Sequence, residues 1–256
     1  MTDIAKVAEI VDEAARTATA IPQLSLSGHD LTLAEAYEVQ EQSIARRIAR
    51  GERLIGVKMG FTSRAKMVQM GLSDVIWGRL TDAMRLEDGG VLDFAKYVHP
   101  RVEPEIAFLL KRPLAGAVSH AEAMAAVEAV APAMEIIDSR YQNFKFNLPD
   151  VVADNSSSSS FVLGAWHGPD VDISNLGMIM EFDGRAVQVG SSAAILGHPG
   201  RSLMMASRLA TAAGVELTAG SIVMAGGATA AEALKPGIAV RLTVEKLGRV
   251  NFTVGK

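Results

Sequence analysis

The sequence contains no cysteine among its 256 residues. Disulfide bonds, thiolate metal sites and a cysteine nucleophile are therefore excluded. The N-terminus carries acidic residues early and has no uninterrupted apolar core, so it does not have the pattern of a secretory signal. We expect a mature chain that works in the reducing cytoplasm.

Concentrated positive charge is also lacking, because lysine and arginine form no block and the formal net charge is −4. This balance gives no electrostatic reason to expect nucleic acid or an anionic membrane as a partner. No apolar run approaches the roughly 18 residues that a membrane span requires. The expected partner is a small molecule.

The common nucleotide-binding motifs are missing as well. No GxGxxG follows a strand pattern, no GxxxxGK[ST] occurs, and no internal repeat is present. What the chain does have is 49% apolar and 21% charged residues. That composition is typical of a globular protein long enough for one large core.

Helical periodicity dominates the N-terminal part of the sequence. It covers residues 2–20 and 32–50, and Thr32 and Glu35 have capping-box spacing at the second segment. A strand pattern follows at 54–62, where apolar residues alternate with small or polar ones. The next residues, SRAKMVQM from position 63, predict a short amphipathic helix.

The rest of the chain alternates strands with few helices. An alanine-rich helix is predicted from Ser119 to about residue 130, a strand at 133–138, and a later helix that ends at Gly214. Strands joined by short turns indicate an antiparallel or mixed sheet. We therefore predict an α+β fold with a β-rich core and a helical N-terminal layer.

The division of the chain is expected near residue 70. Residues 1–70 would form the helical layer with the first core strand, and residues 71–256 the β-rich catalytic core. The two parts are expected to make one continuous domain, 1–256.

Two glutamates lie two positions apart in the apolar stretch RVEPEIAFLL, residues 101–110. In a strand, Glu103 and Glu105 project from the same face and lie about 6.5–7 Å apart. At an effective dielectric constant near 20, unpaired charges at that distance repel by about 2 kcal/mol. A divalent cation, Arg101 or solvent would each relieve this repulsion. Oxygen ligands without cysteine favour Mg²⁺ or Mn²⁺, while a solvated strand face is the alternative.

A third acidic residue lies in the short apolar strand pattern AMEIID. Glu135 stands between two apolar residues, where a carboxylate is costly unless it is paired or binds metal. It is the third predicted ligand, with Asp138 as a reserve on the opposite face. The alternative is a strand-end charge paired to Arg140.

Lys58 lies on the unusual face of the strand at 54–62, beside Gly56, Gly60 and Thr62. Glycines leave space above a sheet, so a ligand can approach the backbone there. A lysine in this setting can hold a substrate carboxylate or act as an acid or base. The alternative is a lysine on an edge strand that reaches solvent.

Other polar features give weaker signals. The loop AGGAT, 225–229, offers backbone N–H groups and Thr229 to an anion, although it is equally a plain turn. The serine run 156–160 is expected to be a solvated loop, with lining of a site as the alternative. A structural hydrogen bond is expected for His198, and no GxSxG supports a serine triad.

Five stretches of the sequence are distinctive in combination: GVKMGFTS, VEPEIAF, MEIIDSR, ILGHPG and LTAGSIVMAGGAT. Together they resemble the fumarylacetoacetate hydrolase superfamily, in the branch of 2-hydroxypentadienoate hydratases and 4-oxalocrotonate decarboxylases. The resemblance covers about residue 30 to the C-terminus. It implies a mixed β-roll core and Mg²⁺ or Mn²⁺ held by three acidic residues, with Lys58 as the active-site lysine of K-x-G-x-T-S. The implied metal ligands are Glu103, Glu105 and Glu135, and the expected substrate contacts are Gly60, Ile76, Ser158 and Thr229.

Ile76 separates the two branches of the family. Similar hydratases carry an aspartate at this place, whereas VIWGRLTD is similar to the decarboxylases, and Asp74 would substitute only if the loop differs. The resemblance thus implies metal-dependent decarboxylation of 4-oxalocrotonate in aromatic meta-cleavage catabolism. The alternatives are a hydratase, an acylpyruvate-type hydrolase and an inactive partner subunit. A complex with the pathway hydratase and a homo-oligomer are further expectations.

Overall fold

The computed structural model describes residues 2–63, 67 and 74–256. Two N-terminal helices, α1 (Ile4–Arg16) and α2 (Leu33–Ala49), pack against each other. Thr32 and Glu35 form the predicted capping box at the start of α2, in which the side chain of each residue bonds the backbone N–H of the other. Both N-terminal helices are therefore confirmed, with slightly shorter bounds than the periodicity predicted.

The alanine-rich helix is shorter than its composition predicts. It starts at the capping box of Ser119 and Glu122, but it ends at Ala125, and a strand begins at Val127. The prediction of a helix to about residue 130 was wrong because pairing with a distant strand overrides the helical propensity of alanine. Three further α-helices lie within residues 74–256: α3 (His120–Ala125), α4 (Leu148–Ala153) and α5 (Pro199–Ala212).

The larger sheet has eight strands within the described residues, in the order β2-β1-β10-β5-β6-β7-β3, with β11 also paired to β5. Two neighbouring pairs, β1 with β10 and β3 with β7, are parallel, and the others are antiparallel. The sheet is therefore mixed, as predicted. Its strands are β1 (Leu54–Gly60), β2 (Ile76–Thr81), β3 (Arg85–Leu86), β5 (Arg101–Leu110), β6 (Val127–Ile137), β7 (Ser158–Leu163), β10 (Ile222–Met224) and β11 (Glu232–Ala233).

A second sheet of five strands covers one face of the first. Its order is β4-β13-β12-β8-β9, and only the β4–β13 pair is parallel. Apolar side chains from both sheets, such as Phe108 and Met134 from the first and Leu242 and Phe252 from the second, form the main core. Its strands are β4 (Val91–Leu92), β8 (Gly177–Phe182), β9 (Arg185–Ser191), β12 (Ala239–Val244) and β13 (Gly248–Val254).

The N-terminal helices form a second core with a later part of the chain. Val7 of α1 and Val39 of α2 pack with Tyr141 and with Val152 of α4. The helical layer is therefore held by burial of apolar area against residues far away in sequence. The predicted α+β class with an N-terminal helical layer is confirmed.

Two predictions fall on the stretch after β1. The short helix over SRAKMVQM lies largely outside the described residues, and so does the division near residue 70, so the two-part organisation stays a prediction. Among the helices of the described ranges, none combines the length and the apolar character needed to cross a membrane.

Candidate metal centre and active site

Three glutamates meet on one face of the larger sheet. Glu103 pairs directly with Glu135 in the antiparallel register of β5 and β6, and Glu105 lies two residues along β5 on the same face. Oxygen atoms from the three carboxylates all lie within 4.8 Å of one another. All three side chains are buried, and Glu105 and Glu135 are fully inaccessible. The sheet register thus brings together the three residues predicted as metal ligands.

Lys58 reaches this cluster from β1, which lies inside the sheet between β2 and β10. Its side chain is only 3% exposed, and its Nζ lies 3.1 Å from Oε2 of Glu135. The alternative of a solvent-facing lysine on an edge strand is therefore wrong. Lys58 therefore brings a buried cation to the carboxylate cluster.

The cluster leaves hydrogen-bonding capacity unused. Oε1 of Glu105 and Oε1 of Glu135 are buried and have no hydrogen-bond partner among the described residues. A buried carboxylate oxygen without a donor is costly, and oxygen-rich acidic sites suit hard divalent cations. The unpaired oxygens and the donor set therefore fit a divalent metal such as Mg²⁺ or Mn²⁺.

Electrostatics agree with this geometry. Burial raises the pKa of Glu105 well above its ordinary value, and the neighbouring charges of Glu135 and Glu103 raise it further. The hydrogen bond from Gly226 and the charge of Lys58 act in the opposite direction but do not cancel these effects. A bound cation would therefore favour the ionised form of Glu105.

Two glycines after β10 complete the cluster. The N–H of Gly226 donates to Oε2 of Glu105 at 2.7 Å. A Cβ on Gly227 would lie 2.6 Å from Oε2 of Glu103, so only glycine fits there without a shift. The sequence leaves this loop open between an anion site and a plain turn, and the anion that it holds is the protein's own Glu105.

Gly60 and Ile76 lie beside each other across β1 and β2, on the face that carries Lys58. A Cβ on Gly60 would lie 2.9 Å from the Ile76 side chain, and Ile76 is buried. The wall at this place is therefore apolar. Both residues share a sheet face with the carboxylates, and their contact with substrate stays a prediction.

The serine run is not a solvated loop, and that interpretation was wrong. Ser156, Ser157 and Ser158 are buried, and β7 starts at Ser158. The cause is the preceding Asn155, whose side chain accepts from the N–H of Arg79 and donates to its carbonyl. This contact docks the serines against β2.

Ser158 pairs with Ile137, two residues along β6 from Glu135, just beyond a register shift in the pairing of β6 with β7. Its hydroxyl, like that of Ser157, is buried without a partner among the described residues. An unpaired buried hydroxyl is able to bond a ligand. Substrate binding by Ser158 stays a prediction that this placement favours.

Other candidates are engaged elsewhere. The hydroxyl of Thr229 donates to the carbonyl of Ala230, so its contact with substrate stays a prediction without a supporting contact. Asp138, the reserve ligand, accepts from the backbone N–H groups of Val98 and His99. His198 accepts from the N–H of Gly200 at the start of α5, in agreement with the expected structural hydrogen bond.

Two charge pairs bear on the alternatives that the sequence left open. Arg140 binds Asp154 and does not pair with Glu135, so the strand-end reading of Glu135 is wrong. Asp74 binds Arg208 at 2.6 Å, and its other oxygen accepts from the N–H of Val75. Asp74 is therefore occupied by a partner on α5.

Comparison with known proteins places this geometry in a family. A family model described as fumarylacetoacetate (FAA) hydrolase C-terminal matches residues 55–255. The chain belongs to the fumarylacetoacetate hydrolase family. The mixed β-roll that the resemblance implied is thereby confirmed as the fold of this family.

Relatives within the family are similar over nearly the whole chain. A 4-oxalocrotonate decarboxylase from Pseudomonas sp. is 62% identical over 251 residues, which are 98% of this chain and 97% of the relative. A 2-hydroxypent-2,4-dienoate hydratase from Pseudomonas putida is 40% identical and aligns over 70% of this chain and 82% of its own length.

A solved relative has the same fold. The structure of 4-oxalocrotonate decarboxylase from Pseudomonas putida G7, complexed with magnesium and adipate, superposes with a TM-score of 0.95. It is 39% identical and covers 98% of this chain and 97% of its own. Fold and chain length therefore agree between this protein and that decarboxylase.

Proposed function

We propose that this protein decarboxylates 4-oxalocrotonate (2-oxohex-3-enedioate) to 2-hydroxypenta-2,4-dienoate, with Mg²⁺ or Mn²⁺ held by Glu103, Glu105 and Glu135. The observation that carries the proposal is the buried carboxylate cluster with two unpaired oxygens beside Lys58. The 62% identity to a 4-oxalocrotonate decarboxylase supports the choice of reaction.

The reaction breaks the bond between C5 and C6 and releases the 6-carboxylate as CO₂. The electron pair of that bond moves through the 3,4-double bond toward the 2-oxygen, and one proton taken up there gives the dienol product. Glu103, Glu105 and Glu135 would hold a divalent cation, which would supply Lewis-acid stabilisation of the negative charge that develops on the substrate. The reaction needs no oxidant.

Lys58 supplies a cation at the site. Its Nζ carries three donors, and the bond to Glu135 uses one of them. The others are available to orient the substrate and to stabilise negative charge that develops on the 2-oxygen. A donor held in place within a buried site acts strongly on the transition state.

Ile76 supports decarboxylation over hydration. Its apolar side chain supplies no acid or base. Adding water to the dienoate instead calls for an acid or base near the double bond, and Asp74 is held by Arg208. The 40% identical hydratase keeps hydration as the second candidate.

The test is a Mg²⁺-dependent assay with 4-oxalocrotonate and, separately, 2-hydroxypenta-2,4-dienoate, following CO₂ release and the ultraviolet absorbance of each compound. We expect CO₂ from the first substrate and no consumption of the second. Consumption of the second without CO₂ from the first would make the protein a hydratase. No reaction with either would favour hydrolysis of an acylpyruvate or an inactive subunit.

Assembly and location remain predictions. The dienol product is short-lived in water, so a complex with the hydratase that consumes it would limit its loss. A homo-oligomer and action in the cytoplasm are predicted with it.

A further inference from the structure

Arg101 lies in the row of residues next to the metal cluster. It precedes Glu103 by two positions on β5, so both side chains leave the same face of the strand. Its partner on β6 is Ile137, which in turn pairs with Ser158 on β7. Arg101 and Ser158 therefore occupy one row, about 6.5–7 Å along the strands from Glu103 and Glu135.

An aromatic ring supports the Arg101 guanidinium. The guanidinium carbon lies over Phe144, 4.4 Å from the ring centroid. Phe144 and the preceding Asn143 both have positive φ, 56° and 59°, which is uncommon for residues other than glycine. Such backbone is retained where the surrounding structure needs it, and here it places the ring against Arg101.

This contact leaves the donors of Arg101 available. The five N–H groups of a guanidinium lie in its plane, whereas a ring packs on its flat face. Within residues 2–63 and 74–256, no hydrogen bond or ion pair of the Arg101 side chain is present. Arg140 and Arg208, in contrast, both hold carboxylates.

We infer that Arg101, supported by Phe144, binds the second carboxylate of the substrate and selects dicarboxylates over monocarboxylates. The inference rests on the proposed function, in which the 1-carboxylate and 2-oxo group lie at Glu103, Glu105 and Glu135. An extended six-carbon chain then carries its 6-carboxylate along the sheet to the Arg101 row. A guanidinium matches a carboxylate with two parallel hydrogen bonds.

The kinetic consequence follows from the fate of that carboxylate. It is an anion in the bound substrate and becomes neutral CO₂, so its bond to Arg101 weakens as the reaction proceeds. An interaction that is stronger in the ground state than in the transition state lowers KM without raising kcat. Loss of Arg101 is therefore expected to raise KM for the dicarboxylate about 10- to 100-fold, the range for a hydrogen bond to a charged group, and to leave kcat unchanged or higher.

The inference is tested by calorimetry on the full chain with saturating Mg²⁺, using adipate and hexanoate as six-carbon acids with two carboxylates and one. Arg101→Gln should weaken adipate binding about 10- to 100-fold and leave hexanoate binding unchanged. Arg101→Lys keeps the charge but not the planar fork and should lie between. Phe144→Leu should have a smaller effect of the same kind.

Arg185→Gln is the matched control, because this exposed arginine on β9 of the second sheet gives the same change in net charge. It should bind both acids as the unsubstituted protein does. Equal weakening of both acids by Arg101→Gln, or no change in either, would overturn the inference. Because adipate binding needs no turnover, the result is independent of whether the CO₂ assay supports the proposed reaction.

Discussion

Two buried ion pairs in this molecule differ in how completely their charges are matched. Arg140 and Asp154 bond each other through side chain and backbone, and Arg140 also contacts the Ser159 hydroxyl. Lys58 and Glu135 are equally buried, yet Oε1 of Glu135 has no donor among the described residues and two more carboxylates crowd the pair. A fully bonded pair holds structure, whereas a pair with surplus negative charge and unused oxygens is typical of a binding site.

The largest effect on this comparison is expected when one of the three clustered carboxylates is removed. Glu105→Gln should lower metal-dependent turnover by about a thousandfold or more, because a Lewis acid contributes several kcal/mol to the barrier. The fold should remain, since the change removes repulsion and keeps the volume. Turnover with saturating Mg²⁺ measures the loss, and circular dichroism checks the fold. Unchanged turnover would remove the metal site.

The matched pair should respond in the opposite way. Asp154→Asn leaves the buried Arg140 without its counter-charge and should lower the free energy of unfolding by about 3–5 kcal/mol. Turnover per folded molecule should change little, because neither residue contacts the cluster. Urea unfolding and an assay at low temperature separate the two effects. A stable but inactive variant would move Arg140 and Asp154 into the site.

Lys58 tests the comparison from the cationic side, because it is the partner of Glu135 in the incompletely bonded pair. Lys58→Met should lower turnover about a hundredfold, the lower range for loss of one donor to a developing negative charge. The metal-free variant should also melt at a lower temperature, since Glu135 then loses its buried counter-charge, and Mg²⁺ should restore much of the loss. If the fall in turnover only followed unfolding, Lys58 would have a structural role.

The smallest expected effect is a dependence on pH. In the metal-free protein, burial and then the charges of Glu135 and Glu103 raise the pKa of Glu105 above its value in the unfolded chain. The stability that this carboxyl contributes is complete below its unfolded pKa and is lost as pH rises through its folded pKa. In chelator, the melting temperature should therefore fall more between about pH 5 and pH 8 than it does for Glu105→Gln. Parallel curves would show that Glu105 ionises normally.

The part of the site that follows from local alternation was predictable from sequence. Glu103 and Glu105 share a face because they lie two residues apart in a strand, and Glu135 is conspicuous in an apolar strand. The direct pairing of Glu103 with Glu135 depends on the register of β5 and β6, which no local pattern states. The members of the cluster were therefore predictable from sequence, whereas the distances between their carboxylate oxygens were not.

Burial of the serine run was not predictable for a related reason. Five consecutive serines have the composition of a loop, and their position depends on the contact of Asn155 with Arg79, 76 residues away. The sequence pattern predicts Arg101 only as a possible counter-charge for the glutamates. Its contact with Phe144 depends on two residues with positive φ, which sequence does not reveal.

The contact between Asn155 and β2 also bears on solubility. β2 ends the order of the larger sheet, and such a strand normally presents free N–H and C=O groups on which another chain can add a strand. The amide of Asn155 occupies both groups of Arg79, and the Ser156 hydroxyl bonds the carbonyl of Trp77. Two side chains thus take the place of a neighbouring strand and protect this edge from intermolecular β-pairing and aggregation.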